Sequence, residues 1–164
     1  TVVRAGQYST VLAIQDTTAL NYSTHPQTQG LGPLGSHSEM PIGLLLHSTL
    51  AVTPTGQPLG LLHTAVRARD PKARGVARQR HRKPVAQKES QKWLDSLSAC
   101  QALATECPDT ILVNLTDREG DLYDLFAQAL TLKINSRFLI LESGRLVNHD
   151  IKITDSSRFV LVGR

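Results

Sequence analysis

The sequence predicts an α/β protein built on a mixed sheet flanked by helices. Three observations carry that expectation. Short apolar runs of strand length alternate with two stretches of helical periodicity, a Pro- and Gly-bearing turn splits one apolar stretch into a hairpin, and no apolar run is long enough to span a membrane. The 164 residues suffice for one compact domain, and 40% hydrophobic with 4% aromatic residues lies outside the disordered and collagen-like compositions.

Residues 10–15, Thr-Val-Leu-Ala-Ile-Gln, form a partly β-branched apolar run stopped by Asp16-Thr17-Thr18, the pattern of a buried strand ending in a polar turn. Residues 21–41 hold six Gly or Pro among Asn, Ser and Thr and read as a loop. Apolar runs at 42–52 and 59–68 flank Thr53-Pro54-Thr55-Gly56-Gln57-Pro58 and predict an antiparallel hairpin. Centred on Thr55, that hairpin sets His47 opposite His63; with no third ligand evident nearby, the two read as a half-buried cross-strand pair rather than a metal pair. Residues 88–104 place Trp93, Leu97, Cys100 and Ala104 at helical spacing, and Pro108 closes that region. A second buried strand at 110–115 stops at Thr116-Asp117, and Asp121 is placed to cap a helix from 122 to about 130 with Leu122, Leu125, Phe126 and Ala129 on one face. Residues 137–141 and 159–162 supply a third and a fourth apolar strand. Cys100 and Cys107 match no zinc spacing and read as reduced thiols of a cytosolic protein.

This order restricts the topology. A strand followed by a hairpin and a helical crossover can receive the later strand as its parallel neighbour, which brings the carboxyl ends of the two strands side by side. Asp16 and Asp117 would then meet, and two carboxylates without a nearby Lys repel each other unless a divalent cation with oxygen ligands joins them.

The net charge of +4 is unevenly spread: residues 1–65 carry −1, residues 66–92 carry +8 and residues 93–164 carry −3. The positive segment (Arg67, Arg69, Lys72, Arg74, Arg78, Arg80, Arg82, Lys83, Lys88 and Lys92) is a basic loop over 67–92 suited to a polyanion, because neutralised phosphates release condensed counterions. No aromatic residue precedes Trp93 in it, so base stacking is not indicated there.

Four ordered motifs carry a family resemblance. Ile14-Gln15-Asp16-Thr17-Thr18, the hairpin with His47-Ser48 and Gly60-Leu61-Leu62-His63, Lys88-Glu89-Ser90-Gln91-Lys92-Trp93-Leu94, and Asp117-Arg118-Glu119-Gly120-Asp121-Leu122-Tyr123 occur in that sequence. Together, over roughly residues 8–142, they resemble the catalytic core of bacterial DDE transposases of the insertion-sequence-four family, the group of the transposon-five transposase. The resemblance implies a ribonuclease-H-like fold and cut-and-paste transposition of a transposable element. It also implies two Mg²⁺ ions, replaceable by Mn²⁺, held by the Asp of the first strand, the Asp of the Asp-Arg-Glu motif and a later Glu. Asp16 and Asp117 match the first two positions; Glu119 and Asp121 are supporting residues. Double-stranded DNA, as transposon ends and target, is the implied partner, with Arg67, Arg69, Arg74, Arg78, Arg80, Arg82 and Lys83 on its backbone. A homodimer in the complete form, no membrane contact and a bacterial cytoplasmic, nucleoid-associated location complete the expectation.

The departures matter too. The family's third carboxylate lies in a signature of Tyr, two residues, Arg, three residues, Glu, six residues, Lys, and none of Tyr8, Tyr22 or Tyr123 is followed by Arg at that spacing. Glu142, directly after the 137–141 strand, is the substitute on offer, but it matches no motif. The N-terminal DNA-recognition region is missing, and the first residue is Thr, so the expectation is an incomplete catalytic domain with little activity alone. Two other readings stand beside it: a non-catalytic DNA-binding or inhibitory module, and a stand-alone ribonuclease-H-like nuclease that recruits Glu142 or another acid.

Overall fold

The computed structural model describes residues 1–25, 27–35, 41–71, 88–120, 122–131, 136–142 and 159–163. A one-turn helix α1 (Val2–Ala5) leads into β1 (Thr10–Asn21), followed by the two-residue β2 (Gly32–Pro33), the hairpin β3 (Ile42–Val52) and β4 (Pro58–Arg67), and helix α2 (Gln91–Glu106). Then come β5 (Ile111–Asp117), a 3₁₀ turn (Arg118–Gly120), helix α3 (Tyr123–Thr131), β6 (Ser136–Glu142) and β7 (Phe159–Gly163). The strands make one seven-stranded mixed sheet in the order β2-β3-β1-β5-β6-β7, with β4 also on β3. The expected α/β architecture is therefore present, and β5 lies parallel to β1 after the crossover through α2.

Alternation along the strands explains the layering. Val11 and Ala13 of β1, Ala51 of β3 and Leu112 of β5 are buried and pack with Cys100 and Leu103 of α2. The other face carries Ile14, Leu61 and Val66, all exposed. The predicted stripe of α2 is buried as expected, and Trp93 and Leu97 join Leu125 and Ala129 of α3 in a second cluster. Both cysteines are free and buried, and burial pushes the Cys100 thiol up to about 12. Among the described residues no helix is long and apolar enough to cross a membrane.

Two local expectations need correction. β1 does not stop at Asp16-Thr17-Thr18: it continues to Asn21, because β3 supplies backbone partners as far as Gly43, and β-branched threonines suit a paired strand. Asp16 is therefore at the end of the β1–β5 ladder but in the middle of the β1–β3 ladder. In the hairpin, His47 faces Ala65 and His63 faces Thr49, rather than each other. Irregularities between Thr49 and Leu50 and between Ala51 and Val52 insert extra residues in β4, and the additional leucines gain a place in the core: Leu59 is buried and Leu62 packs against the main cluster.

Candidate metal and phosphoryl-transfer site

The β1–β5 ladder runs from Thr10↔Ile111 to Ile14↔Leu115, so Asp16 and Asp117 each lie two residues past its last pair. Strand alternation turns both away from α2, and both are exposed. One oxygen of Asp117 is already fixed, since Oδ1 accepts the Glu119 backbone N–H at 2.9 Å across the start of the 3₁₀ turn. That turn folds back so closely that a Cβ on Gly120 would lie 2.5 Å from Thr116 Oγ1, which explains the glycine.

On the α2 side of the same strand ends lies a polar chain. Lys92 Nζ donates to Thr17 Oγ1 at 2.6 Å and stands 3.6 Å from Glu119 Oε2. Thr17 Oγ1 is 2.9 Å from His47 Nδ1, and His47 Nε2 is 3.1 Å from Ser96 Oγ. Trp93 closes this chain from the side, its ring meeting His47 edge-on at 4.7 Å and lying 5.3 Å beneath the Lys92 ammonium. Burial, then the positive charges of Lys92 and His63, lower His47 to about 4 against a weaker opposing pull from Asp16. A neutral His47 suits the geometry: Thr17 accepts from Lys92 and donates to Nδ1, leaving Nε2–H to donate to Ser96.

One row deeper, His63, Thr49 and Gln15 are consecutive cross-strand partners, and Thr116 occupies the matching position on β5. The side chains of Gln15, Thr49 and Thr116 are buried, and none of their polar atoms has a hydrogen-bond partner in the protein. The strand ends thus sit on a polar layer, with the apolar core beginning further down.

At the root of the basic segment, Arg69 is committed internally. Its Nε and Nη2 donate to the two carboxylate oxygens of Glu89 at 2.5 and 2.8 Å, and Nη1 donates to the Leu34 carbonyl at 2.6 Å. The hydrogen bond to Glu89 holds the guanidinium above its ordinary pKa. Arg67 is exposed and borders a cavity of about 250 Å³ shared with Thr17, His47, Glu89 and Lys92. Arg74, Arg78, Arg80, Arg82 and Lys83 lie outside the described residues, as does Asp121 with its expected capping role.

Asp16 and Asp117 thus lie at equivalent positions just past one ladder and on one face of the sheet, while Glu119 pairs with Lys92 of the helix on the other face. Glu142 ends β6, but the residue paired with Asp117 is Leu141. Two exposed carboxylates suit a hard, oxygen-seeking cation such as Mg²⁺ by donor type. Among the described residues, no group of three or more His, Cys, Asp and Glu side chains is arranged to hold a metal ion. Sequence reasoning missed Thr17 and Ser96 and counted Lys92 only as part of the basic stripe. The one available signal was the run from Lys92 to Ser96 on a helix that had to pack over β1. No family model matches the chain.

Proposed function

We propose that this chain is the core of a DDE-type DNA transposase, a ribonuclease-H-like unit of an enzyme that cuts and joins DNA strands by Mg²⁺-dependent phosphoryl transfer. The observation that carries this reading is the parallel β1–β5 ladder, at whose carboxyl end, where ligand crevices of such sheets form, Asp16 and Asp117 each follow the last pair by two residues. Asp16 and Asp117 would hold the ion, with Mn²⁺ as a substitute. When bound, such an ion activates an oxygen nucleophile and stabilises the leaving oxygen in an in-line displacement at phosphorus. The chain's own residues act around it: Gly120 lets the 3₁₀ turn close, the Glu119 N–H orients the Asp117 carboxylate, and the basic segment contacts DNA backbone phosphates.

The first test is cation binding. Mn²⁺ titrated into the purified chain is expected to bind and to lose most of its affinity in Asp16→Asn and in Asp117→Asn. Binding that persists in both variants would remove these residues from the site.

A second reading is favoured by the +8 charge of residues 66–92: a DNA-binding module that keeps the fold and does no chemistry. Mg²⁺- or Mn²⁺-dependent nicking of DNA by the chain would exclude it.

A further inference from the structure

We infer that Lys92 is a positioning residue for the Asp16–Asp117 pair, tying β1 to the turn after β5 just past the end of their shared ladder. The inference rests on the proposed metal-binding reading of those two residues. Its ammonium donates to Thr17, the residue after Asp16, at 2.6 Å, and stands 3.6 Å from the carboxylate of Glu119, two residues after Asp117. A single side chain thereby reaches both β1 and the turn that follows β5.

The contact is anchored at several points. Lys92 lies in the first turn of α2, whose packing is set by the buried Trp93 and Leu97, so its stem starts from a fixed place. Its side chain is only 19% exposed and runs over the Trp93 ring. Thr17 in turn is held by His47 Nδ1, and His47 by Ser96 on the next turn of the same helix. β1 and α2 are thereby closed into a hydrogen-bonded loop: Lys92, Thr17, His47, Ser96. The ladder between β1 and β5 ends at Ile14↔Leu115, so past that pair backbone bonding does not hold the two strands together. Lys92 bridges this unpaired stretch. Groups outside the coordination sphere that orient ligands commonly contribute tenfold or more to metal affinity.

A positioning role and a plain charge effect predict opposite signs. A lysine that acted only as a nearby positive charge would repel a cation, and its removal would tighten binding. A lysine that holds β1 and the turn after β5 together would, on removal, loosen the carboxylates and weaken binding. Thr17→Val removes the other end of the tether without changing any charge.

Mn²⁺ affinity measured by calorimetry on the full chain, with circular dichroism as the check on folding, separates these cases. Lys92→Met and Thr17→Val are each expected to weaken Mn²⁺ binding on the order of tenfold. Thr17→Ser, which keeps the hydroxyl, is expected to restore it. Tighter or unchanged binding in Lys92→Met, or no effect of Thr17→Val, overturns the positioning role while leaving the Asp16–Asp117 site standing. Wild-type Mn²⁺ binding that is absent, or indifferent to Asp16→Asn and Asp117→Asn, overturns the metal reading and the positioning role with it.

Discussion

His47 shows how one buried side chain couples this site to pH. The ring is 2% exposed and hydrogen-bonded on both nitrogens, and its folded pKa of about 4 lies below the ordinary 6.5. Between those values the unfolded chain binds a proton that the folded chain refuses, so stability rises with pH in that window. The contribution is complete above pH 6.5 and disappears as pH falls towards 4. Urea unfolding between pH 7 and 4 is expected to show this decline, with a slope from this group of at most about 1.4 kcal/mol per pH unit. His47→Gln is expected to flatten the profile; an unchanged profile would show that His47 does not carry the dependence. The sequence pointed to Asp16 and Asp117 because apolar runs and a crossover are visible in local patterns, although the strand end it read after Asp16 is not there. It could not show that Lys92 reaches Thr17, 75 residues away, since that contact depends on how deeply α2 packs over β1.

Most elements were legible because their signals are local. The α2 stripe, the hairpin turn and the helix after Asp117 are periodicities or turn residues that a single segment displays. What was not legible came from pairing between segments. β1 extends through Asp16-Thr17-Thr18 only because β3 is long enough to bond to it, and the hairpin register shifts because Leu59 and Leu62 find space in the core. The 3₁₀ turn after β5 combines both kinds of information. Its glycine is visible in the sequence, but the reason is the contact with Thr116, where an added Cβ would meet Oγ1 at 2.5 Å and Cβ at 2.6 Å. Gly120→Ala is therefore expected to cost about 1–3 kcal/mol in chemical denaturation, the range for overpacking a filled site. It should also weaken Mn²⁺ binding, because the turn carries the N–H that holds Asp117. Gly120→Ala in a Thr116→Ser background is expected to recover part of that stability by removing the Thr116 methyl, which lies 3.0 Å from the new Cβ.

Across the whole molecule, charge and chemistry are segregated along the chain. Residues 66–92 hold +8 and join β4 to α2, the two elements that border the cavity beside Thr17 and His47. The segment begins and ends at that cavity, and Arg69 with Glu89 pins its root through a paired guanidinium and carboxylate. The basic residues therefore divide into two kinds. Arg69 is structural: Arg69→Met is expected to lower stability by about 1 kcal/mol, the scale of a partly exposed ion pair of good geometry, and to leave the salt dependence of DNA binding nearly unchanged. Arg74, Arg78, Arg80 and Arg82 are assigned to phosphates: changing all four to Gln is expected to reduce the slope of log affinity against log salt by up to about 0.9 for each phosphate no longer neutralised. Asp16→Ala and Asp117→Ala are expected to leave that slope alone. Fluorescence anisotropy with a double-stranded oligonucleotide at several salt concentrations reads all these variants on one scale. If the fourfold variant keeps the wild-type slope, the basic segment is not the DNA contact; if Arg69→Met lowers the slope as the others do, its bond to Glu89 yields to phosphate on binding.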